Sequence, residues 1–309
     1  MLSVVIPIYN EYGNIPELAR RLASVLIPLD DSYEILWVDD HSTDNSLELI
    51  TSIAEKDHHH KYVSFSRNFG HQIAIMAGIE HASGDAVITI DGDLQDPPEL
   101  IADLVREWNN GYDVVYARRR KRSGENLFKK STAFIFYRLL SSMTRIDIPL
   151  DTGDFRLIDR KVVDAVKSMP ERQKYLRGQI AWTGFKSKAV DYDRDARVRG
   201  ESNYSINRMI RLAWDGISGF SNIPIKMVSW FGFTVAAISF LLIIYAIVSK
   251  FVWGTAVRGW TSLIMVVLFL GGIQLLSIGV IGEYISRIDE NIRNRPLYIV
   301  DKANVNKED

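Results

Sequence analysis

Two carboxylates stand at i and i+2 in the run Asp91-Gly92-Asp93-Leu94-Gln95-Asp96-Pro97-Pro98-Glu99, which follows the apolar segment Ala86-Val87-Ile88-Thr89-Ile90. In an extended chain, side chains two residues apart share a face. Two hard oxygen donors on one face suit Mg²⁺ or Mn²⁺, which take few protein ligands and complete their shell with water and phosphate oxygens. Gly92 leaves room for a ligand to approach the backbone, and Gln95 offers a third oxygen. The competing account is an acidic strand end, with Asp96 as N-cap of a helix opened by the Pro97-Pro98 pair.

Other residues could join such a site. Asp39 and Asp40 end a second apolar run and precede His41-Ser42-Thr43-Asp44. A carboxylate there can accept from a base or a ribose, while Ser42 and Asp44 suit turns and helix caps. Pro7-Ile8-Tyr9-Asn10-Glu11 ends the first apolar run; Tyr9 offers a stacking face and Glu11 an acceptor. Gly153-Asp154-Phe155-Arg156-Leu157 offers a carboxylate in a turn, as a general base, as an orienting group, or as the partner of Arg156 in a structural ion pair. Arg118 to Arg122, Lys129-Lys130 and the segment Arg197 to Ser202 supply cations for phosphates, with Lys174, Arg177 and Trp182 added to the same region. The consecutive His58, His59 and His60 lack a facial metal-ligand spacing and read as a solvated loop.

These residues need elements to carry them. Strands are expected at Leu2–Ile8, Tyr33–Val38, Lys61–Ser66, Ala86–Ile90 and Asp113–Tyr116, with helices at Ile15–Leu26, Ser46–Lys56, Gln72–His81 and Pro98–Asn109. This alternation implies βαβ units and a mostly parallel sheet. Ligands on such sheets bind at the carboxyl ends of the strands. That rule selects Pro7–Glu11, Asp39–Asp44, Ser66–Gly70 and Asp91–Gln95, where the unusual polar residues lie.

The 309 residues carry a formal net charge of −1, which gives no ground for a nucleic-acid partner. The absence of cysteine excludes disulfides, thiolate catalysis and cysteine metal sites. The start, Met1 to Pro7, reads as a buried strand and not as a signal peptide. The C-terminal third differs from the rest. Stretches 227–249 and 259–282 are uncharged, and a bilayer core asks for about 20 apolar residues per helix. They read as a transmembrane hairpin of helices at about 227–250 and 260–282, with Trp230, Trp253 and Trp260 near the ends. Lys and Arg are richer outside the hairpin than in its loop, which puts both termini in the cytoplasm. Residues 128–145 and 206–217 mix apolar spacing with basic residues and suit either the membrane interface or the core. The tail from Asp301 is polar and expected to fray.

Taken together and in this order, Pro7–Glu11, Val38–Asp44, Ser66-Arg67-Asn68-Phe69-Gly70, Asp91–Glu99 and Gly153–Leu157 resemble the inverting family 2 glycosyltransferases with a GT-A fold. The nearer likeness is to the polyprenyl-phosphate group, which includes bactoprenol glucosyltransferases of the GtrB type and dolichyl-phosphate mannose synthases. Leu270-Gly271-Gly272-Ile273-Gln274 and Gly279-Val280-Ile281-Gly282-Glu283-Tyr284 favour the GtrB type. The likeness runs from residue 1 to about 300. The implied organisation is a GT-A domain at 1–202, a juxtamembrane amphipathic helix at 203–225, the two membrane helices within 226–284, and a cytoplasmic tail at 285–309.

The resemblance implies roles. Pro7, Tyr9, Glu11, Val38, Asp40, Asp91, Gly92, Asp93, Gln95 and Arg197 would hold a nucleotide sugar, with Asp91, Asp93 and Gln95 on a Mg²⁺ or Mn²⁺ ion. Arg118, Arg119, Arg120, Lys129, Lys130 and Ser202 would meet a lipid phosphate. Asp93 and Asp154 would be the catalytic carboxylates. Asn203 stands where relatives often carry Lys, so either a phosphate-facing charge is missing here or Arg199 replaces it. The implied reaction is hexosyl transfer, with glucose from UDP-glucose favoured, to undecaprenyl phosphate on the cytoplasmic face of a bacterial inner membrane. GDP-mannose or an amino-arabinose donor is the alternative, and a non-catalytic membrane scaffold is the alternative of another class. A tetramer is implied, as are a flippase and a periplasmic glycosyltransferase acting downstream. No Gln-x-x-Arg-Trp run of the processive enzymes is present.

Overall fold

The computed structural model describes residues 1–29, 32–119, 152–172, 174–192, 223–251 and 259–305. Within them one eight-stranded sheet runs in the order β7-β5-β6-β4-β1-β2-β3-β8. The strands are β1 Leu2–Ile8, β2 Tyr33–Asp39, β3 His60–Phe65, β4 Ala86–Thr89, β5 Val114–Arg119, β6 Thr152–Asp159, β7 Ser187–Tyr192 and β8 Val300–Ala303. β4, β1, β2 and β3 are parallel neighbours, and β5 pairs parallel with β7. β6 lies antiparallel between β4 and β5, and β8 is antiparallel to β3. The mostly parallel sheet expected from the sequence is therefore present, with two antiparallel insertions.

Both faces of the sheet are covered. Leu2, Val4, Ile6 and Ile8 of β1 join Ile15, Leu18, Leu22 and Leu26 of α1 (Ile15–Leu26) in one core. The helical residues recur at three to four positions, a single apolar stripe. Val5, on the other face of β1, joins Ala74 to Ala77 of α3 (His71–His81) in the second core, with Val38, Val63 and Phe65. α2 is Ser46–Lys56, α4 Ile101–Asn109, α5 Arg160–Lys167 and α6 Leu176–Trp182. The expected helix at Pro98–Asn109 divides into a short 3₁₀ turn, Pro98–Leu100, and α4.

Several expectations are corrected. β4 stops at Thr89, so Asp91 and Asp93 lie on a turn and not on an extended face, with Leu94 in the left-handed region at φ 59°. Asp96 does not cap the helix; it is buried and accepts from the Tyr192 hydroxyl on β7. Asp154 lies in strand β6 and not in a turn. His60 is not in a solvated loop: it opens β3, is buried, and its Nδ1 accepts from Trp37 Nε1 at 3.0 Å. His59 stacks on Tyr33, and Asp57 Oδ1 accepts from both the His59 N–H and Nδ1. Local hydrogen bonds thus account for the Asp57-His58-His59 group, whose ligand atoms lie within 4.8 Å of one another.

The tail is also corrected. Val300–Ala303 is a strand and not a frayed end, and it extends the catalytic sheet beyond β3. The chain divides into a unit of Met1–Ile210 with Arg295–Asp309, and a unit of Arg211–Asn294. The second unit contains two long helices, α7 Ile223–Phe251 and α8 Trp260–Ile292. Among the described residues, Phe269–Ile292 is the one segment long and apolar enough to cross a membrane. α8 runs ten residues past the end expected for its membrane segment, and its last turns carry the ion pairs Glu283–Arg287 and Asp289–Arg293.

Candidate active site

The strand order reverses direction around β1, with β4 on one side and β2 on the other. Such switch points open a crevice at the carboxyl ends of the strands. Four loops meet there: Tyr9–Asn14 after β1, Asp40–Asn45 after β2, Ser66–Gly70 after β3 and Ile90–Pro97 after β4.

The first two loops are laced together. The Asn10 N–H donates to Ser42 Oγ at 3.0 Å, and Asn10 Oδ1 accepts from the Thr43 N–H at 2.8 Å. The Tyr12 N–H donates to Asp44 Oδ2 and the Glu11 N–H to Ser46 Oγ, each at 3.2 Å. Asn10 takes φ 58° to make this turn. The lacing leaves the Tyr9 ring half exposed at the mouth. Pro7 and Val38 face each other in register within the sheet, and the Val38 side chain belongs wholly to the core.

Asp40 joins the third loop. Its carboxylate accepts the N–H groups of Phe69 at 2.7 Å and Gly70 at 2.9 Å. Burial raises its pKa, and these two bonds only partly offset that. Gly92 serves packing: an added Cβ would lie 2.6 Å from Ile8 Cδ1 and 3.3 Å from the Pro7 carbonyl oxygen. The end of β1 therefore approaches Gly92 closely.

At the centre, His71 at the start of α3 spans two carboxylates. Its Nε2 lies 3.4 Å from Asp91 Oδ1 and 3.4 Å from Asp154 Oδ2. Asp154 is the most heavily contacted group. Gln72 Nε2 donates to its Oδ2 at 3.0 Å and Arg177 Nε to its Oδ1 at 3.0 Å, and the buried Arg156 stands 3.6 Å away. The Asp154–Arg156 pair is thus real but secondary to Arg177. Burial alone would raise the Asp154 carboxyl; His71, Arg177 and Arg156 outweigh it and hold the group well below its ordinary range. Burial lowers Arg156 to about 10. Asp91 goes the other way: burial, with Asp154, Asp96 and Asp93 nearby, pushes it up to about 6 against the pull of His71.

The donor set fits a hard divalent cation. Asp91 Oδ1 is buried and accepts no hydrogen bond. Gln95 donates its side-chain amide N–H to Asp93 Oδ2 at 2.5 Å, so the two side chains are neighbours on this turn. Two carboxylates and an amide oxygen are ligands for Mg²⁺ or Mn²⁺. Arg118 is engaged by Asp191 through two hydrogen bonds of 2.6 and 3.0 Å. Arg119 ends β5. Arg120, Lys129, Lys130, Arg197, Ser202, Asn203 and the segments 128–145 and 206–217 lie outside the described residues. The sequence reading missed His71 and Asn10. The only signal for His71 was its place after the selected Ser66–Gly70 loop.

The site is an acidic turn at the switch point of a mostly parallel sheet, with the Tyr9 and Asp40 loops beside it. Its kind is settled by comparison. The glycosyl transferase family 2 model matches residues 3–167, and the GtrB C-terminal hairpin model matches residues 223–288. The chain belongs to glycosyl transferase family 2 and is a glycosyltransferase. It is 49% identical over 301 residues to the uncharacterised glycosyltransferase YkcC of Bacillus subtilis, covering 97% of this chain and 93% of the relative. It is 41% identical over 302 residues to the SfII prophage-derived bactoprenol glucosyl transferase of Shigella flexneri, covering 98% of each. Among solved structures, the glucosyl-3-phosphoglycerate synthase of Mycobacterium tuberculosis, held with Mn²⁺, UDP and phosphoglyceric acid, superposes with a TM-score of 0.51 at 20% identity, covering 71% of this chain and 76% of that one. That likeness concerns the GT-A fold.

Proposed function

We propose that this enzyme transfers a hexose, glucose from UDP-glucose, to a polyprenyl phosphate such as undecaprenyl phosphate, with inversion at the anomeric carbon. The observation that carries the reading is that His71 brings Asp91 of the acidic turn together with Asp154 and its partner Arg177 at one end of the sheet. Near-full-length likeness to bactoprenol glucosyl transferases of Shigella supports the acceptor. The hairpin supports the setting, a bacterial inner membrane crossed twice with the catalytic domain and both termini on the cytoplasmic side.

Asp91, Asp93 and Gln95 would hold Mg²⁺ or Mn²⁺, which neutralises the departing diphosphate. Tyr9, Glu11 and Asp40 would face the nucleoside. The attacking oxygen belongs to the lipid phosphate; it forms the new bond to the anomeric carbon as the bond to the nucleoside diphosphate breaks. A phosphate with a second pKa of about 6 is largely ionised at neutral pH, so no proton has to be removed. Asp154 fits this chemistry as an orienting group. Its oxygens already accept from Gln72 Nε2 and Arg177 Nε, and these partners fix the carboxylate in place.

The test is direct. Purified full-length protein is incubated with radiolabelled UDP-glucose, polyprenyl phosphate and Mn²⁺ or Mg²⁺. Labelled glycolipid is expected. Labelled product only with GDP-mannose or an amino-arabinose donor would replace the sugar, and none with any nucleotide sugar would sink the enzymatic reading. Mass measurement of the detergent complex tests the tetramer that the resemblance implies.

A further inference from the structure

The segment beyond the hairpin docks on the elements that carry the site. β8 pairs with β3, and past the strand the Ser66 N–H donates to the Ile299 carbonyl at 3.0 Å. Asn304 closes the other end, accepting from the Tyr62 N–H at 2.6 Å and donating its own N–H back to Tyr62. Leu297, Tyr298 and Val305 pack into the same core as Ala74, Ile75 and Phe65.

Tyr298 touches both sides of the loop between β3 and α3. Its ring stacks on Phe65 with centroids 5.0 Å apart. Phe65 in turn meets the Phe69 ring edge-on at 5.6 Å, and the Phe69 N–H is one of the two bonds to Asp40. Its hydroxyl donates to Glu80 Oε2 at 2.6 Å, in the last turn of the helix whose first residue is His71. One residue therefore holds the approach to the loop, through Phe65, and the far end of α3, through Glu80. Burial, with Glu80 beside it, pushes the Tyr298 phenol up from its ordinary value.

We propose that residues 295–305 are a working part of the catalytic domain and that Tyr298 is a positioning residue, fixing the Ser66–His71 loop so that Asp40 and His71 stand in place for the transfer. The proposal rests on the function proposed above. The hairpin is on this account an insertion between two strands of one sheet.

The experiment uses full-length protein and three changes: Tyr298→Ala, Tyr298→Phe, and a chain ending at Asn294. Two readouts are taken, glucosyl transfer and hydrogen exchange at the Phe69 and Gly70 amides. Tyr298→Ala is expected to lower kcat at least ~10-fold, since sub-ångström misplacement is costly to catalysis, and to speed exchange at both amides. Tyr298→Phe keeps the ring on Phe65 and should recover more than half of the lost rate. The shortened chain should be inactive yet regain activity when a synthetic 295–309 peptide is added. Wild-type turnover in Tyr298→Ala, or unchanged exchange at Phe69 and Gly70, would overturn the proposal. If wild-type protein transferred no sugar, the exchange readout would still decide the clamp, so the two failures are distinguishable.

Discussion

His71 Nε2 lies 3.4 Å from Asp154 Oδ2. The same nitrogen is 3.4 Å from Asp91 Oδ1, so one imidazole stands between the carboxylates of two chain segments. Burial would lower its pKa, but Asp154 and Asp91 outweigh burial and raise it. His71→Ala is expected to lower kcat by ~10–100-fold through loss of this spacing, with little change in KM for the nucleotide sugar. Steady-state kinetics check it, and a wild-type kcat would refute the bridging role.

Asp93 and Asp154 should separate activity from stability. Asp93 lies on a turn, where its carboxylate accepts from the Gln95 N–H and from the Gln95 side-chain amide. Asp93→Ala is expected to reduce turnover ~10²–10³-fold or more while shifting stability by less than about 0.5 kcal/mol. Asp154→Ala strips the buried Arg156 of a carboxylate and should cost about 3–5 kcal/mol as well as activity. Thermal unfolding in detergent beside the transfer assay gives both numbers. Equal stability loss in the two variants would contradict this division.

Gly78 lets α3 lie directly on β1. A Cβ there would stand 2.1 Å from Val5 Cγ1, inside the core. Gly78→Ala is therefore expected to destabilise by about 1–3 kcal/mol, the range for overpacking, although alanine favours helix. A stabilised variant would mean that the helix lifts without cost.

Glu34 sets a pH limit that is independent of the active site. The buried carboxylate accepts from Ser3 Oγ at 2.5 Å, Lys61 Nζ at 2.6 Å and the Ser83 N–H at 2.7 Å. Burial raises its pKa, but these partners win and the net shift is down from 4.5. A depressed carboxylate contributes stability that is present above 4.5 and lost as pH falls through the lower folded value. Glu34→Gln should flatten that acid limb of a melting-temperature profile; an unchanged profile would assign the limb elsewhere.

Much of the fold was legible because its signals are local. α1 and α2 form at Ile15–Leu26 and Ser46–Lys56, where the strand–helix alternation puts them. β1 reads as a strand because all seven of its residues are buried on a two-sided sheet. β8 was not legible: Val300-Asp301-Lys302-Ala303 is exposed throughout, and its pairing is made by the backbone, which leaves no apolar pattern. His60 was misread because its partner, Trp37, lies on another strand. In the site, Asp91 was legible as a carboxylate after a strand, and Asp154 as a carboxylate beside Gly153, though in a strand and not the expected turn. The imidazole between them was not, since His71 reaches them only after three separate chain segments have folded together.

β8 is the last strand to be synthesised. Until it docks, β3 is a bare edge, with unpaired backbone groups open to any other chain. The ribosome must make both hairpin helices before it makes the strand that closes this edge. Maturation of the catalytic sheet is thereby placed after synthesis of the hairpin, and the new chain carries an aggregation-prone border through that interval. A nascent chain arrested at residue 294 is expected to be protease-sensitive at β3, and one arrested well past residue 309 of an extended version is expected to be protected.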